Sequence, residues 1–184
     1  RFESRGLGDV YKRQMVFWGH APNSQTRMKE MKVAMEKLDL MVVIDPYPTV
    51  SAVLSDRTDG VYLLPSTTQF ETYGSLTSSN RSLQWREKVI EPSFDSLPDH
   101  TIIYKFAKKF GFADRMFRNI KVTNDEPYIE DVTKEFNSGM WTIGYTGQSP
   151  ERLKAHMKNQ HVFDKTTLRA VGGELDGDYY GLPW

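Results

Sequence analysis

The sequence predicts an α/β fold, a parallel sheet with flanking helices followed by an irregular helical C-terminal part, and three observations carry that reading. A short apolar run, Val16, Phe17 and Trp18, ends at Gly19 and reads as a buried strand opening into a loop. Downstream, Met28, Met31, Met35 and Leu38 fall on one face, with Lys29, Glu30, Lys32, Glu36 and Lys37 elsewhere, which is the spacing of an amphipathic helix over residues 25–37. Residues 40–44, Leu-Met-Val-Val-Ile, then form an apolar run without alternation, as in a strand covered on both faces of a parallel sheet. Strand, helix and strand in about thirty residues make one βαβ unit.

The remaining elements follow in order. Pro46 and Pro48 forbid regular structure after Asp45, so a loop sits at the carboxyl end of the second strand. Thr49 can cap a short helix through Leu54, and Asp59-Gly60 turns into a third buried strand, residues 61–64, stopped by Pro65. Residues 67–80 shift to Thr, Ser, Gly and Asn and read as a long irregular loop, with a strand re-entering over residues 84–90. Pro98-Asp99 starts a helix that buries Ile102, Ile103, Phe106 and Phe110 and ends at Gly111. Residues 128–136 and 150–159 are expected to be helical, the second with Ser149 as N-cap and Pro150 at its first position. The methionines read as core filler.

Composition removes several classes of function. Of 184 residues 39% are hydrophobic and 26% charged, which fits one domain or part of a larger one. Net charge is zero with Lys and Arg scattered, so nothing favours nucleic acid or an anionic surface. No apolar run approaches the roughly 20 residues of a membrane helix, so no direct membrane insertion is expected. Cysteine is absent, which removes thiolate nucleophiles and cluster ligands from this stretch.

The first residues carry a separate expectation. Asp9-Val10-Tyr11-Lys12-Arg13-Gln14 back-translates to GAT GTG TAT AAG AGA CAG, which resembles a transposase mosaic end used in sequencing adapters, and Ser4-Arg5-Gly6-Leu7-Gly8 fits the same frame. Residues 1–14 are therefore expected to be adapter-derived, with native sequence from near Met15. Residues 15–125 would then form a partial α/β domain and residues 126–184 a truncated helical and irregular extension.

In an open α/β sheet, ligands bind beyond the carboxyl ends of the strands. Two loops fit. Gly19, His20 and Asn23 belong to a turn where glycine permits close backbone approach and the following helix start favours a phosphate. Asp45, Tyr47 and Thr49 belong to a turn where a carboxylate can accept from ribose hydroxyls or guanine N–H groups and Thr49 offers a hydroxyl. Spacing alone leaves open the plainer reading, in which Gly19 only turns the chain and Asp45 caps a helix. No G-x-G-x-x-G or G-x-x-x-x-G-K-[ST] motif is present. No catalytic constellation is visible and no metal ligand set is expected: His156 and His161, five apart, fall on different helix faces, and Asp176 with Asp178 reads as a solvated turn. Arg81, Gln84, Trp85 and Arg86 form a polar-aromatic cluster that either touches a cofactor or packs at a rim.

Taken in order, Asp45-Pro46-Tyr47-Pro48-Thr49, Leu63-Leu64-Pro65, Glu71-Thr72-Tyr73-Gly74 and Asn80-Arg81-Ser82-Leu83-Gln84 resemble the molybdopterin oxidoreductase family. Pro22 resembles the proline of that family's glycine-x-asparagine-proline turn, although Ala21 stands where the asparagine would be. Residues 136–147 and 177–184 resemble the formate dehydrogenase large subunit in particular. The resemblance implies an internal fragment of a Rossmann-like molybdopterin-dinucleotide-binding domain from an enzyme that oxidises formate to carbon dioxide. It implies a molybdenum or tungsten bis(molybdopterin guanine dinucleotide), with Gly19, His20, Asn23, Asp45, Tyr47 and Thr49 at its guanosine and phosphate end, and a [4Fe–4S] cluster held by sequence outside this stretch. The implied partners are formate, an iron–sulfur electron-transfer subunit and, as an option, a membrane cytochrome subunit, in the periplasm or otherwise the cytoplasm. A nitrate, thiosulfate or dimethyl sulfoxide reductase, or a non-catalytic electron-transfer subunit of the same fold, is the alternative. The fragment alone is expected to be inactive.

Overall fold

A computed structural model describes residues 13–19, 26–77, 82–139 and 148–181. The chain divides into two compact units, Arg1–Thr68 with Pro92–Leu97, and Gln69–Glu91 with Pro98–Trp184.

The first unit is built on a three-stranded parallel sheet, β1 (Gln14–Trp18), β2 (Leu40–Asp45) and β3 (Tyr62–Pro65), with β2 in the centre. Phe17 pairs with Val43 and Trp18 with Ile44, so β1 and β2 end level with each other. Helix α1 (Met28–Glu36) connects them and closes the expected βαβ unit. It begins later than its periodicity suggests, because Arg27 takes a left-handed conformation at φ 62° that cannot continue a helix. Met35 is fully buried and packs with Phe17, Met41 and Val43, while Met31 and Leu38 lie partly buried against them. Full burial of one such side chain contributes about 1.5–3 kcal/mol. At the other end of α1, Arg57 Nη1 donates to the carbonyls of Met35 at 2.8 Å and Leu38 at 2.6 Å, satisfying acceptors that a helix end leaves open.

Three expectations fail in this unit. The third strand is not buried: Tyr62 is 65% and Leu63 45% exposed, and β3 is the edge of the described sheet. Pro65 lies inside that strand, opposite Asp45, rather than ending it. An edge position tolerates a residue without an N–H donor, and Pro65 still accepts from the Leu97 N–H at 3.2 Å. Helix α2 (Val50–Val53) does follow Thr49, but the Thr49 side chain caps no backbone N–H.

The second unit begins with an antiparallel pair, β4 (Gly74–Thr77) and β5 (Leu83–Arg86). The expected loop over residues 67–80 therefore contains a strand, whose Ser and Thr content hid it, and the re-entering strand stops at Arg86. Leu83 and Trp85 pack with Leu153, supported by Tyr73, Ile129 and Met157. Helix α3 (Asp99–Lys109) ends as predicted: Gly111 sits at φ 77°, its N–H bonds Lys108 and the Phe112 N–H bonds Ala107, a Schellman stop. Phe110, expected inside, is 73% exposed and lies in a surface row of rings with Phe106 and Phe112. Ile102 is buried as expected, and Ala107 packs with Ala113 and Phe117, with Ile103 partly buried against them.

Next come α4 (Ala113–Met116) and a two-residue ladder, β6 (Val122–Thr123) with β7 (Glu126–Pro127), turned by Asn124 and Asp125 at φ 54° and 64°. Helices α5 (Ile129–Gly139) and α6 (Pro150–Lys158) match the two predicted helices. Ser149 caps α6, accepting from the Arg152 N–H at 3.1 Å, with Pro150 at the first position. Lys154 of α6 lies 4.7 Å over the Trp85 ring and 2.7 Å from Glu130.

Candidate functional site

The parallel pairing of β1 and β2 brings Gly19, the residue that follows β1, beside the end of β2. The Gly19 N–H donates to the Ile44 carbonyl at 2.8 Å, fixing Gly19 against the end of β2. Gly19 adopts φ 73°, and a Cβ built there would meet none of the described residues within 4 Å. Glycine is therefore favoured by backbone conformation.

Asp45 ends β2 and its carbonyl accepts from Ser66 at 3.2 Å. Its carboxylate Oδ2 accepts from the Thr49 hydroxyl at 2.9 Å, across the turn made by Pro46, Tyr47 and Pro48. This bond orients the carboxylate and uses only part of its capacity, since an ionised carboxylate has about four acceptor positions. Tyr47 is 69% exposed, leaving its ring available for stacking.

Gly19, Asp45, Tyr47 and Thr49 line one cavity of ≈ 690 Å³, together with Pro48, Val50, Ser51 and Val53. These four predicted residues are brought together; His20 and Asn23 lie outside the described residues. Sequence reading missed Ser51. It is 1% exposed, borders the cavity, and its Oγ has no hydrogen-bond partner among the described residues. Its only sequence signal was a small polar residue in a short apolar helix.

The other candidates separate. Trp85 is core, and Arg86 Nη1 donates to Gln69 at 3.3 Å. Gln84 borders a second cavity, of ≈ 580 Å³, with Gln160, Phe163, Lys165 and Tyr180; Arg81 lies outside the described residues. Asp178 is not merely a solvated turn: its Oδ2 lies 3.0 Å from His156 Nε2 and 3.4 Å from Arg152 Nε. His161 sits in a separate 3₁₀ turn, Gln160–Val162, after α6 has ended. Among the described residues no helix is long and apolar enough to cross a membrane.

Residues 8–109, more than half of the chain, match the molybdopterin oxidoreductase family. The chain belongs to that family. Over 131 residues it is 30% identical to the F420-dependent formate dehydrogenase subunit alpha of Methanocaldococcus jannaschii, covering 71% of this chain and 17% of that one. Over 122 residues it is 35% identical to a protein of Staphylococcus aureus strain USA300 with a provisional formate dehydrogenase name, covering 61% of this chain and 12% of that one. A Staphylococcus aureus strain N315 protein matches to the same extent. The chain thus spans about a sixth or less of the length of these relatives.

Members of the molybdopterin oxidoreductase family carry a molybdenum or tungsten pterin cofactor. The cavity lining offers groups of the kind that can hold a polar cofactor: a left-handed glycine, an oriented carboxylate, an exposed aromatic ring and a buried hydroxyl with no partner among the described residues. The α/β architecture predicted from the sequence, with its parallel sheet and flanking helices, is that of the structure.

Proposed function

We propose that this chain is part of the large subunit of a molybdenum or tungsten formate dehydrogenase, and that the cavity at the ends of β1 and β2 holds the guanosine and phosphate end of a pterin guanine dinucleotide. The observation that supports this most is the meeting of Gly19, Asp45, Tyr47 and Thr49 around one cavity at the carboxyl ends of two adjacent parallel strands. Asp45 accepts from a ribose hydroxyl or a guanine N–H, and Thr49 keeps that carboxylate turned toward the cavity. Tyr47 stacks on the base, and the Gly19 turn lets backbone approach the phosphates. When bound, the group supplies the redox chemistry that takes formate to carbon dioxide, and the residues here bind and orient it. Formate as substrate rests on the names of the relatives. The second copy of the dinucleotide, a [4Fe–4S] cluster, an iron–sulfur partner subunit, a membrane cytochrome and a periplasmic setting belong to the same proposal. The chain on its own is inactive in this reading.

The test is Asp45→Ala in the intact enzyme, reading retained guanine nucleotide and metal per subunit alongside calorimetric titration of the full chain with guanosine monophosphate. Nucleotide affinity is expected to fall by roughly ten- to a hundred-fold, the loss of one charge-assisted hydrogen bond of roughly 1.5–3 kcal/mol, with the fold retained. Unchanged nucleotide content and affinity in the variant would overturn the assignment of Asp45.

A further inference from the structure

Helix α6 carries His156, whose ring is 2% exposed and held on three sides. Nε2 lies 3.0 Å from Asp178 Oδ2, and Nδ1 lies 3.1 Å from the backbone N–H of Gly181. A backbone N–H can only donate, so Nδ1 is the unprotonated nitrogen and Nε2 carries the proton toward the carboxylate. Tyr180 stacks on the ring at 6.0 Å and 23°, and Phe163 tilts against it at 4.9 Å.

The peptide on the far side of that bond is itself pinned to the sheet. Gly181 accepts from the Leu83 N–H of β5 at 2.7 Å, so its neighbouring donor and acceptor hold the segment between α6 and β5. The approach is close: Gly181 sits at φ 62°, and an added Cβ would lie 2.5 Å from the Leu83 carbonyl oxygen. No larger residue could make both bonds without moving the strand.

We propose that His156 is the pin of an acid-sensitive latch, its neutral Nδ1 holding residues 178–181 onto α6 and β5 and its protonation releasing them. A proton taken from solvent by Nδ1 turns the acceptor into a donor facing another donor. The Gly181 N–H then loses its partner, while Nε2–H keeps Asp178. The charged groups that act on the ring are Asp178, from the latched segment, and Arg152, from the same helix. Phe163, Tyr180 and Leu83, from the other elements packed here, bring no charge. Burial disfavours the imidazolium, Asp178 favours it and the Arg152 guanidinium opposes it; burial is the largest effect and holds His156 below the ordinary histidine value. Tyr180 rides on the latched segment and lines the ≈ 580 Å³ cavity with Phe163, Gln84 and Gln160. Release therefore also reshapes that cavity.

Site-resolved hydrogen exchange on the full chain tests this, at about pH 7.5 and about pH 5, corrected for intrinsic exchange. Protection of the Gly181 and Leu83 amides is expected to fall about ten-fold or more at the acid pH, together with a ring ¹⁵N pattern showing the proton on Nε2 at the neutral one. His156→Gln, which cannot titrate, should remove the pH dependence, and Asp178→Asn should move the transition to lower pH by taking away the anion that favours the imidazolium. Protection that does not change with pH in the unaltered chain, a proton found on Nδ1 at neutral pH, or a transition that stays put in Asp178→Asn would each overturn the latch. Should His156→Gln fail to fold, the Asp178→Asn shift and the ring pattern still decide.

Discussion

The Thr49 hydroxyl donates to Asp45 Oδ2 at 2.9 Å, four residues back across a turn bounded by two prolines. Asp45 thus enters the cavity with one oxygen already held, and Thr49 acts through Asp45 rather than as a helix cap.

Replacing Thr49 with Val removes that donor while keeping the shape. Stability is expected to drop by about 0.5–1.5 kcal/mol, the net worth of a typical hydrogen bond. Affinity for guanosine monophosphate should fall with it, since the carboxylate is no longer oriented, and Thr49→Ser should restore both. Denaturant titration and calorimetry read the two effects; a Val variant that binds as well as the parent would show that the bond does no positioning.

Gly19→Ala and Gly181→Ala should separate conformational strain from crowding. At Gly19 the left-handed backbone is what is at stake, since none of the described residues lies within 4 Å of the new Cβ, and the expected cost is about 1–2 kcal/mol. At Gly181 the Cβ would meet the Leu83 carbonyl at 2.5 Å, adding a clash to the same strain. Its loss in thermal stability should clearly exceed that of Gly19→Ala. Equal losses would mean that β5 moves freely to make room.

Tyr73 supplies an alkaline marker for the second unit. Burial, and then the Glu130 carboxylate, push its phenol up to about 12. An unfolded tyrosine ionises near 10, so between these values the unfolded chain loses its proton first. The contribution to stability is complete below pH 10 and is lost as pH rises through the folded value. Phenolate absorbance in a chain where Tyr73 is changed to Phe identifies the signal. Ionisation of Tyr73 at its ordinary value in the folded protein would contradict the burial against Trp85.

The legible parts of the fold were those with a strong period or a hard stop. The apolar runs at residues 16–18 and 40–44 became neighbouring parallel strands, the Met31 and Met35 face became core, and Ser149-Pro150 and Gly111 marked a helix start and a helix end. The misreadings share a cause. Phe110 has the right spacing for burial yet lies outside, Tyr62 and Leu63 read as interior yet form an exposed edge, and β4 was hidden by Ser and Thr. Hydrophobicity and period describe a segment, whereas cover is given by another element whose position the segment does not encode.

For the candidate site the same division holds. The sequence by itself determined that a glycine and an aspartate each end a strand, because apolar runs and prolines are local signals, and it supplied the family resemblance. Only the tertiary structure decided that Thr49 bonds Asp45, that Ser51 is a buried hydroxyl without a partner among the described residues, and that His156, Asp178 and Gly181 meet. Those relations depend on side-chain direction and on strand register, which arise only when the chain closes on itself and each polar group must find a partner or go without one.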